Sequence, residues 1–373
     1  MRIAQVSPLY ESVPPKLYGG TERVVSYLTE ELVAQGHDVT LFASGDSSTN
    51  ARLIASCPRA LRLDQESVDP FPHHLVQLER VCELAASFDV LHFHVDYVHF
   101  PHSRRFQTSH LTTLHGRLDI PDLIPLYDRF AETPVVSISN AQREPLPWLN
   151  WQGTVYHGLP KNLYVCQAEP GDYLAFLGRI CPEKRLDRAI KIAKHVGMKI
   201  KVAAKVDAAD LDYYTNVIKP LLDDTCIEFV GEINEDQKQE FLRNAYALLF
   251  PIDWPEPFGL VAIEAMGCGT PVIGYRNGSV PELIEYGVTG FIVENVEQAA
   301  EAVSKITHID RRRCRARFEE RFSATRMARD YVVIYERLIN DRSNVETSFE
   351  EEHLAKLNGD GMQMTLPRNG RQR

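Results

Sequence analysis

Two carboxylates eight positions apart, Glu256 and Glu264, stand where a proline-flanked loop turns into a helix. Pro255 and Pro257 fix backbone dihedrals on either side of Glu256, and Gly259 lets the chain approach a ligand closely. Leu260, Val261, Ile263 and Met266 then follow helical spacing, which makes Phe258, Gly259 and Leu260 the first turn. Free amides and the positive end of the helix dipole suit that turn to a diphosphate or to sugar oxygens. Eight helical positions span roughly 12 Å, too far for both acids to act across one glycosidic bond as in a hydrolase. Two separate tasks follow, although the spacing by itself fits a solvated loop acid and a polar-face acid equally well.

Arg179 and Lys184 share one loop directly after the apolar run 173–177. That run reads as a buried parallel strand, and loops that follow such strands line the ligand crevice of open α/β sheets. An arginine fork and a lysine point charge there suit a diphosphate; surface charge beside Glu183 is the plainer alternative. Gly19 and Gly20, in the loop 8–21, precede a helix beginning near Thr21 and Glu22. Bare backbone there admits a phosphate or sugar, or simply gives the helix a flexible entry. Neither a dinucleotide fingerprint after a strand nor a Walker-type loop is present. His115, followed by Gly116, ends a strand at the carboxyl edge of its sheet, a crevice position that a core or surface histidine would fit as well. His92, His94, His99 and His102 crowd one segment with Asp96, a set able in principle to ligate zinc. No flanking cysteine completes a closed site, and no metal is expected.

These residues need a scaffold, and short apolar runs alternating with helical patterns supply one. Strands are expected at 3–7, 39–43, 90–94, 111–115, 135–139 and 154–156, then at 174–177, 200–204, 227–230, 247–250, 272–275 and 291–293. Strand, helix, strand, repeated in two halves, gives an α/β chain with two doubly wound parallel sheets and a cleft between them. Pro160, Pro170 and polar residues interrupt the periodicity between 158 and 171 and mark the boundary. A helical pattern covers 324–339, and from 340 onward the sequence turns polar and reads as a mobile tail. A length of 373 residues with 44% hydrophobic and 25% charged content suits a soluble two-domain protein, and no apolar run is long enough to span a bilayer. The formal charge of -10 argues against nucleic acid as the main partner. Seven cysteines without a Cys-x-x-Cys pair suit a reducing cytoplasm, and the opening residues read as a strand rather than a secretory signal.

The strings Phe-Leu-Gly-Arg-Ile-Cys-Pro-Glu-Lys-Arg (176–185), Phe-Val-Gly-Glu (229–232), Glu-Pro-Phe-Gly-Leu-Val-Ala-Ile-Glu-Ala-Met-Gly-Cys-Gly-Thr-Pro-Val-Ile (256–273) and Gly-Val-Thr-Gly-Phe-Ile-Val (287–293) resemble the retaining GT-B glycosyltransferases of family 4, the glycosyl transferases group 1. Looser agreement at Tyr-Gly-Gly-Thr-Glu-Arg-Val-Val (18–25), Gly-His-Asp-Val-Thr-Leu-Phe-Ala (36–43), Leu-Thr-Thr-Leu-His-Gly (111–116) and Val-Val-Ser-Ile-Ser (135–139) follows the family's order.

The resemblance implies the GT-B fold: an acceptor-side Rossmann-like domain at 1–160, a nucleotide-sugar domain at 161–323, a helix at 324–340 crossing back to the first, and a polar tail at 341–373. It implies transfer of a hexose, with retention and on one face of the sugar, from a nucleotide sugar to a hydroxyl acceptor, without metal or cofactor. UDP-glucose is the expected donor, ahead of GDP-mannose and UDP-N-acetylglucosamine. A soluble small molecule or saccharide is the expected acceptor, since no basic apolar stretch of the first domain points to a membrane. Under the resemblance Glu256 meets the sugar hydroxyls, Glu264 the ribose, and Gly231 and Glu232 the base region. Arg179, Lys184 and the turn at Phe258, Gly259 and Leu260 hold the diphosphate, Gly19 and Gly20 lie beside it, and His115 faces the donor sugar. Glu256, His115, Arg179 and Lys184 are thus the catalytic set. His94, Ser139 and His157 fall on the acceptor side, His157 standing where many relatives carry asparagine. A nucleotide-sugar epimerase or hydrolase of the same fold would transform the donor with no acceptor, and a non-catalytic sugar-binding protein would need an export signal.

Overall fold

The computed structural model describes residues 1–16, 19–62 and 64–359, with side chains of the last helix described as far as 344. Tyr18 of the glycine loop and residues 360–373 of the expected tail lie outside the described residues. Seven strands form the first sheet: β1 (Arg2–Val6), β2 (Asp38–Ser44), β3 (Arg52–Cys57), β4 (Val90–Phe93), β5 (Ser109–Thr113), β6 (Val135–Ser137) and β7 (Trp151–Thr154). Six form the second: β8 (Tyr173–Arg179), β9 (Lys199–Lys205), β10 (Ile227–Gly231), β11 (Ala245–Phe250), β12 (Val272–Tyr275) and β13 (Gly290–Val293). Every pairing is parallel, in the orders β3-β2-β1-β4-β5-β6-β7 and β10-β9-β8-β11-β12-β13. Two doubly wound parallel sheets with interleaved helices are therefore what the alternating pattern builds.

Winding outward from β1 and again from β8 makes the strand order reverse between β1 and β4 and between β8 and β11. Crevices open at the carboxyl ends of such neighbours, because their loops leave in opposite directions. Gly19 and Gly20 follow β1, Lys184 follows β8, and Glu256 follows β11. Chain topology alone thus gathers residues far apart in sequence.

Two expectations need correction. β3 was not anticipated: it is the edge strand, its burial alternates irregularly, and Arg52 to Cys57 carry no continuous apolar run. The last helix does not stop at 340 but runs over Ala324–Gly359, so residues 341–359 are helical rather than a loose tail. Its packing explains its start. Met327, Ala328, Tyr331, Ile334 and Tyr335 recur at helical spacing, form one buried stripe, and join Ile3, Val24, Leu28, Val90 and Leu111 in the first sheet's core.

The halves are joined by more than the chain. Leu159 and Ser323 form a parallel bridge, with the amide of Leu159 donating to the carbonyl of Phe322 at 2.9 Å and that of Ala324 to the carbonyl of Leu159 at 2.9 Å. A side chain at Gly158 would meet the Ser323 carbonyl at 2.4 Å, so only glycine permits this approach. Glu282 of the second half accepts from the amides of Asn140 and Ala141, each at 2.8 Å, and from the Tyr156 hydroxyl at 2.9 Å.

Candidate active site

Between the sheets lies a cavity of about 690 Å³. It takes in Gly19, Gly20, His115 and His157 from the first half, and Arg179, Lys184, Glu232, Glu256, Phe258, Gly259, Leu260 and Glu264 from the second. Three expected residues do not line it. Gly231 ends edge strand β10 at φ +86 and hands the cavity wall to Glu232. Ser139 is fully buried, its hydroxyl accepting from the Gln142 amide at 3.0 Å, and His94 is buried beneath His115 with both ring nitrogens engaged. Placing these two on the acceptor side is corrected accordingly: residues at the very end of a buried strand point into the core as readily as into the crevice.

Arg23, Arg62, Arg117, Arg179, Lys184, Lys205 and Lys238 face the cavity against Asp207, Glu232, Glu256 and Glu264. A basin with an excess of cations, in a chain of formal charge -10, attracts an anionic ligand.

The loop after β11 is held by two glycines, one at its end and one pressed against it from the loop after β12. Gly259 precedes the helix Leu260–Gly267 at φ +90, and a Cβ there would lie 2.9 Å from the Phe250 ring. Gly278, at φ +53, runs so close that a Cβ would lie 2.3 Å from the Glu256 amide nitrogen. Glu256 is thereby fixed with 9% exposure, its Oε2 accepting from the Trp254 indole at 2.9 Å and from Lys184 Nζ. The same ammonium stands 5.3 Å from the Trp254 ring and 5.7 Å from that of Phe250. The two residues expected to hold sugar and diphosphate are thus paired with each other. Arg179 faces Asp207 at 3.7 Å and Asp210 at 3.6 Å.

Glu264, 3% exposed, has partners that sequence reasoning missed. Its Oε1 accepts from Arg23 Nη1 at 2.8 Å and from Lys238 Nζ at 2.9 Å. Arg23 comes from the first-half helix Gly20–Ala34, so this ion pair crosses the cleft. Burial works against the charge on Arg23, but Glu264 and Glu235 outweigh it and raise its pKa above the ordinary range. A sequence separation of 241 leaves no local signal for such a pair; only the position of Arg23, in the first turn after the glycine loop, hinted at it.

His115 is held on two sides. Its Nε2 lies 2.9 Å from His94 Nδ1, and its ring stacks on His157 at 5.3 Å and 18°. His157 in turn meets the edge of Phe258 in the donor loop at 4.8 Å. Burial lowers the pKa of His115 to about 3 and that of His157 well below the usual value, so both rings are neutral in ordinary buffers. The neighbouring histidines do not converge on a common point: His92 is spent on Tyr335 and Thr113, and His99 stacks on Phe93 with its Nε2 at 2.9 Å from Thr112 Oγ1.

Comparison with known proteins fits this geometry. The family model of Glycosyltransferase Family 4 matches residues 18–159, and that of Glycosyl transferases group 1 matches residues 167–322. The N-acetyl-alpha-D-glucosaminyl L-malate synthase of Bacillus anthracis is 26% identical, over 87% of this chain and 96% of its own. Sucrose-phosphate synthase from Thermosynechococcus elongatus superposes with a TM-score of 0.74 at 19% identity, covering 91% of this chain and 99% of that one. HepE of Anabaena, solved in complex with UDP-glucose, superposes with a TM-score of 0.65 at 17% identity over 92% of this chain and 100% of that one. With one model on each half, two facing doubly wound sheets and a cationic cleft between them, the chain belongs to the GT-B glycosyltransferases of group 1, family 4.

Proposed function

We propose that this enzyme transfers glucose from UDP-glucose to a hydroxyl of a small molecule or saccharide, with retention and without a bound metal. The observation that carries the reading is the pairing of Lys184 with Glu256 at the mouth of a cationic basin. A diphosphate entering that basin competes for Lys184 and releases the Glu256 carboxylate toward the sugar. Lys184, Arg179 and the first amides of the helix Leu260–Gly267 then stabilise charge on the departing phosphate, the task a divalent cation performs elsewhere. Glu256, freed, accepts from sugar hydroxyls and favours positive charge at the reacting carbon. Glu264 offers the ribose a carboxylate already compensated by Arg23 and Lys238. Neutral His115 faces the sugar from the first half without adding positive charge. UDP-glucose is favoured by the neighbour solved with it, and the acceptor enters beside His115 and Arg117. Free thiols on all seven cysteines support a reducing compartment, and no helix among the described residues is long and apolar enough to cross a membrane.

A thermal-shift panel of nucleotide sugars tests the donor. A ligand at a hundred times its Kd should stabilise by about 2.7 kcal/mol, and UDP-glucose should head the panel; no shift with any uridine or guanosine nucleotide would overturn the reading. Glu256→Gln should lower turnover by about a hundredfold or more while UDP-glucose binds as well as to the parent. Near-normal turnover in a folded variant would remove its assigned role.

A further inference from the structure

Beneath His115 a chain of buried polar groups runs to the crossing helix, and none of its members beyond His115 touches the cavity. His115 Nε2 meets His94 Nδ1 at 2.9 Å, and His94 Nε2 meets the side-chain carbonyl of Gln5 at 2.8 Å. Gln5 lies in the middle of β1, fully buried, and its amide nitrogen donates to the Tyr335 hydroxyl at 3.2 Å. That hydroxyl lies 2.7 Å from His92 Nδ1, His92 Nε2 lies 2.7 Å from Thr113 Oγ1, and Thr113 reaches the Tyr331 hydroxyl at 2.8 Å.

Neutral imidazoles have one donor and one acceptor each, so the chain has a direction. With the Gln5 carbonyl facing His94, the proton of His94 sits on Nε2 and its Nδ1 accepts. His115 must then carry its proton on Nε2. At the far end the Gln5 amide donates to Tyr335, Tyr335 donates to His92 Nδ1, and His92 donates to Thr113. The reversed direction also closes every internal bond, and the two differ at the cleft end. His115 Nδ1 is buried and has no hydrogen-bond partner. The first direction leaves an unpaired acceptor there, the second an unpaired N–H, and proteins tolerate buried unpaired acceptors better than buried unpaired donors.

We infer that Gln5 and His94 are positioning residues of the transfer reaction: they hold His115 in the Nε2-protonated tautomer, its proton turned away from the donor sugar and its ring pinned against His157. The inference rests on the transferase reading for its purpose, because a sugar carbon gaining positive charge is served by a ring whose N–H dipole points elsewhere. Its structural content stands apart from that reading. The crossing helix supplies the other anchor through Tyr335 and Tyr331, which ties the tautomer of a cleft residue to the helix packed on the sheet face that carries Gln5, His92 and Thr113.

Histidine-selective nitrogen-15 labelling of the ligand-free full chain tests this without any substrate, since long-range proton–nitrogen correlations distinguish a protonated ring nitrogen from a bare one. His115 should show a bare Nδ1 and a protonated Nε2; protonation at Nδ1 in the parent overturns the inference. Gln5→Leu should turn the His115 signal into a mixture of tautomers, and an unmixed signal would likewise overturn it. His94→Gln, whose amide offers an acceptor and a donor, should restore the parent pattern where His94→Phe does not. UDP release from UDP-glucose should fall by roughly ten- to a hundredfold in His94→Phe with donor KM little changed, and recover in His94→Gln. If UDP-glucose proves not to be the donor, the spectra still decide the tautomer.

Discussion

Lys184 and Glu256 hold each other in the cleft, so each competes with any ligand for the other. Lys184→Met should weaken UDP-glucose binding by roughly ten- to a hundredfold, the value of one charge-assisted hydrogen bond, whereas Glu256→Gln should leave it unchanged or tighter, because Lys184 no longer has to leave a carboxylate. Calorimetric titration of both variants reads the difference, and parallel losses would contradict the exchange. Glu264 differs in kind. Its two cations are buried with it, so Glu264→Leu leaves Arg23 and Lys238 to share Glu235 and should cost about 3 kcal/mol in urea unfolding as well as donor binding. The sequence announces Glu256, Lys184 and Gly259 because their chemistry is local: prolines, a glycine and a strand-to-helix turn within a few positions. Arg23, Lys238 and Gln5 looked ordinary because their meaning lies in partners 241, 26 and 89 positions away.

Loops and helices transmit these constraints. Gly278 lies 22 positions after Glu256, yet any Cβ on it would collide with the Glu256 backbone. Gly278→Ala should therefore reproduce the turnover loss of Glu256→Gln while also costing about 1–3 kcal/mol of stability from the positive φ and the clash; paired activity and unfolding measurements separate the two effects. The helix Ala324–Gly359 is the other case. Truncation after Ser323 removes Ala328 and four larger buried side chains, Met327, Tyr331, Ile334 and Tyr335, each of the four worth about 1.5–3 kcal/mol, and should leave an aggregating product, whereas a chain ending at 344 keeps them all and should fold. Most strands were legible as continuous apolar runs, since parallel strands are buried on both faces. β3 was not, because an edge strand needs apolar residues on fewer sides, and the helix beyond 340 was hidden because a polar run such as 340–352 carries no apolar stripe to mark helical spacing.

On the scale of the whole molecule, a negatively charged chain surrounds a positive cleft, and a column of neutral histidines fills the space beneath it. His92, His94, His99, His115 and His157 are all depressed by burial, so at moderate acidity the unfolded chain binds protons that the folded one refuses. Stability is then complete above about pH 6.5 and falls as pH drops toward the folded values, each group removing up to about 1.4 kcal/mol per unit. Asp96, raised to about 6 by burial, opposes this, as do Glu11 and Glu22, which burial also raises. Tm should fall steeply between pH 6.5 and pH 5, and a flat profile would contradict a neutral buried column. The stitched passage at Leu159 and Ser323 governs how such a molecule moves. A strap laced in this way resists sliding and twisting, so opening of the cleft is expected as a rotation about it. Contacts across the cleft, Glu282 to Tyr156 at 2.9 Å and Arg23 to Glu264 at 2.8 Å, would both have to yield to such a rotation. Under the proposed function, opening about this strap would admit the nucleotide sugar, and closing would bring Arg23 back onto the carboxylate that meets the ribose.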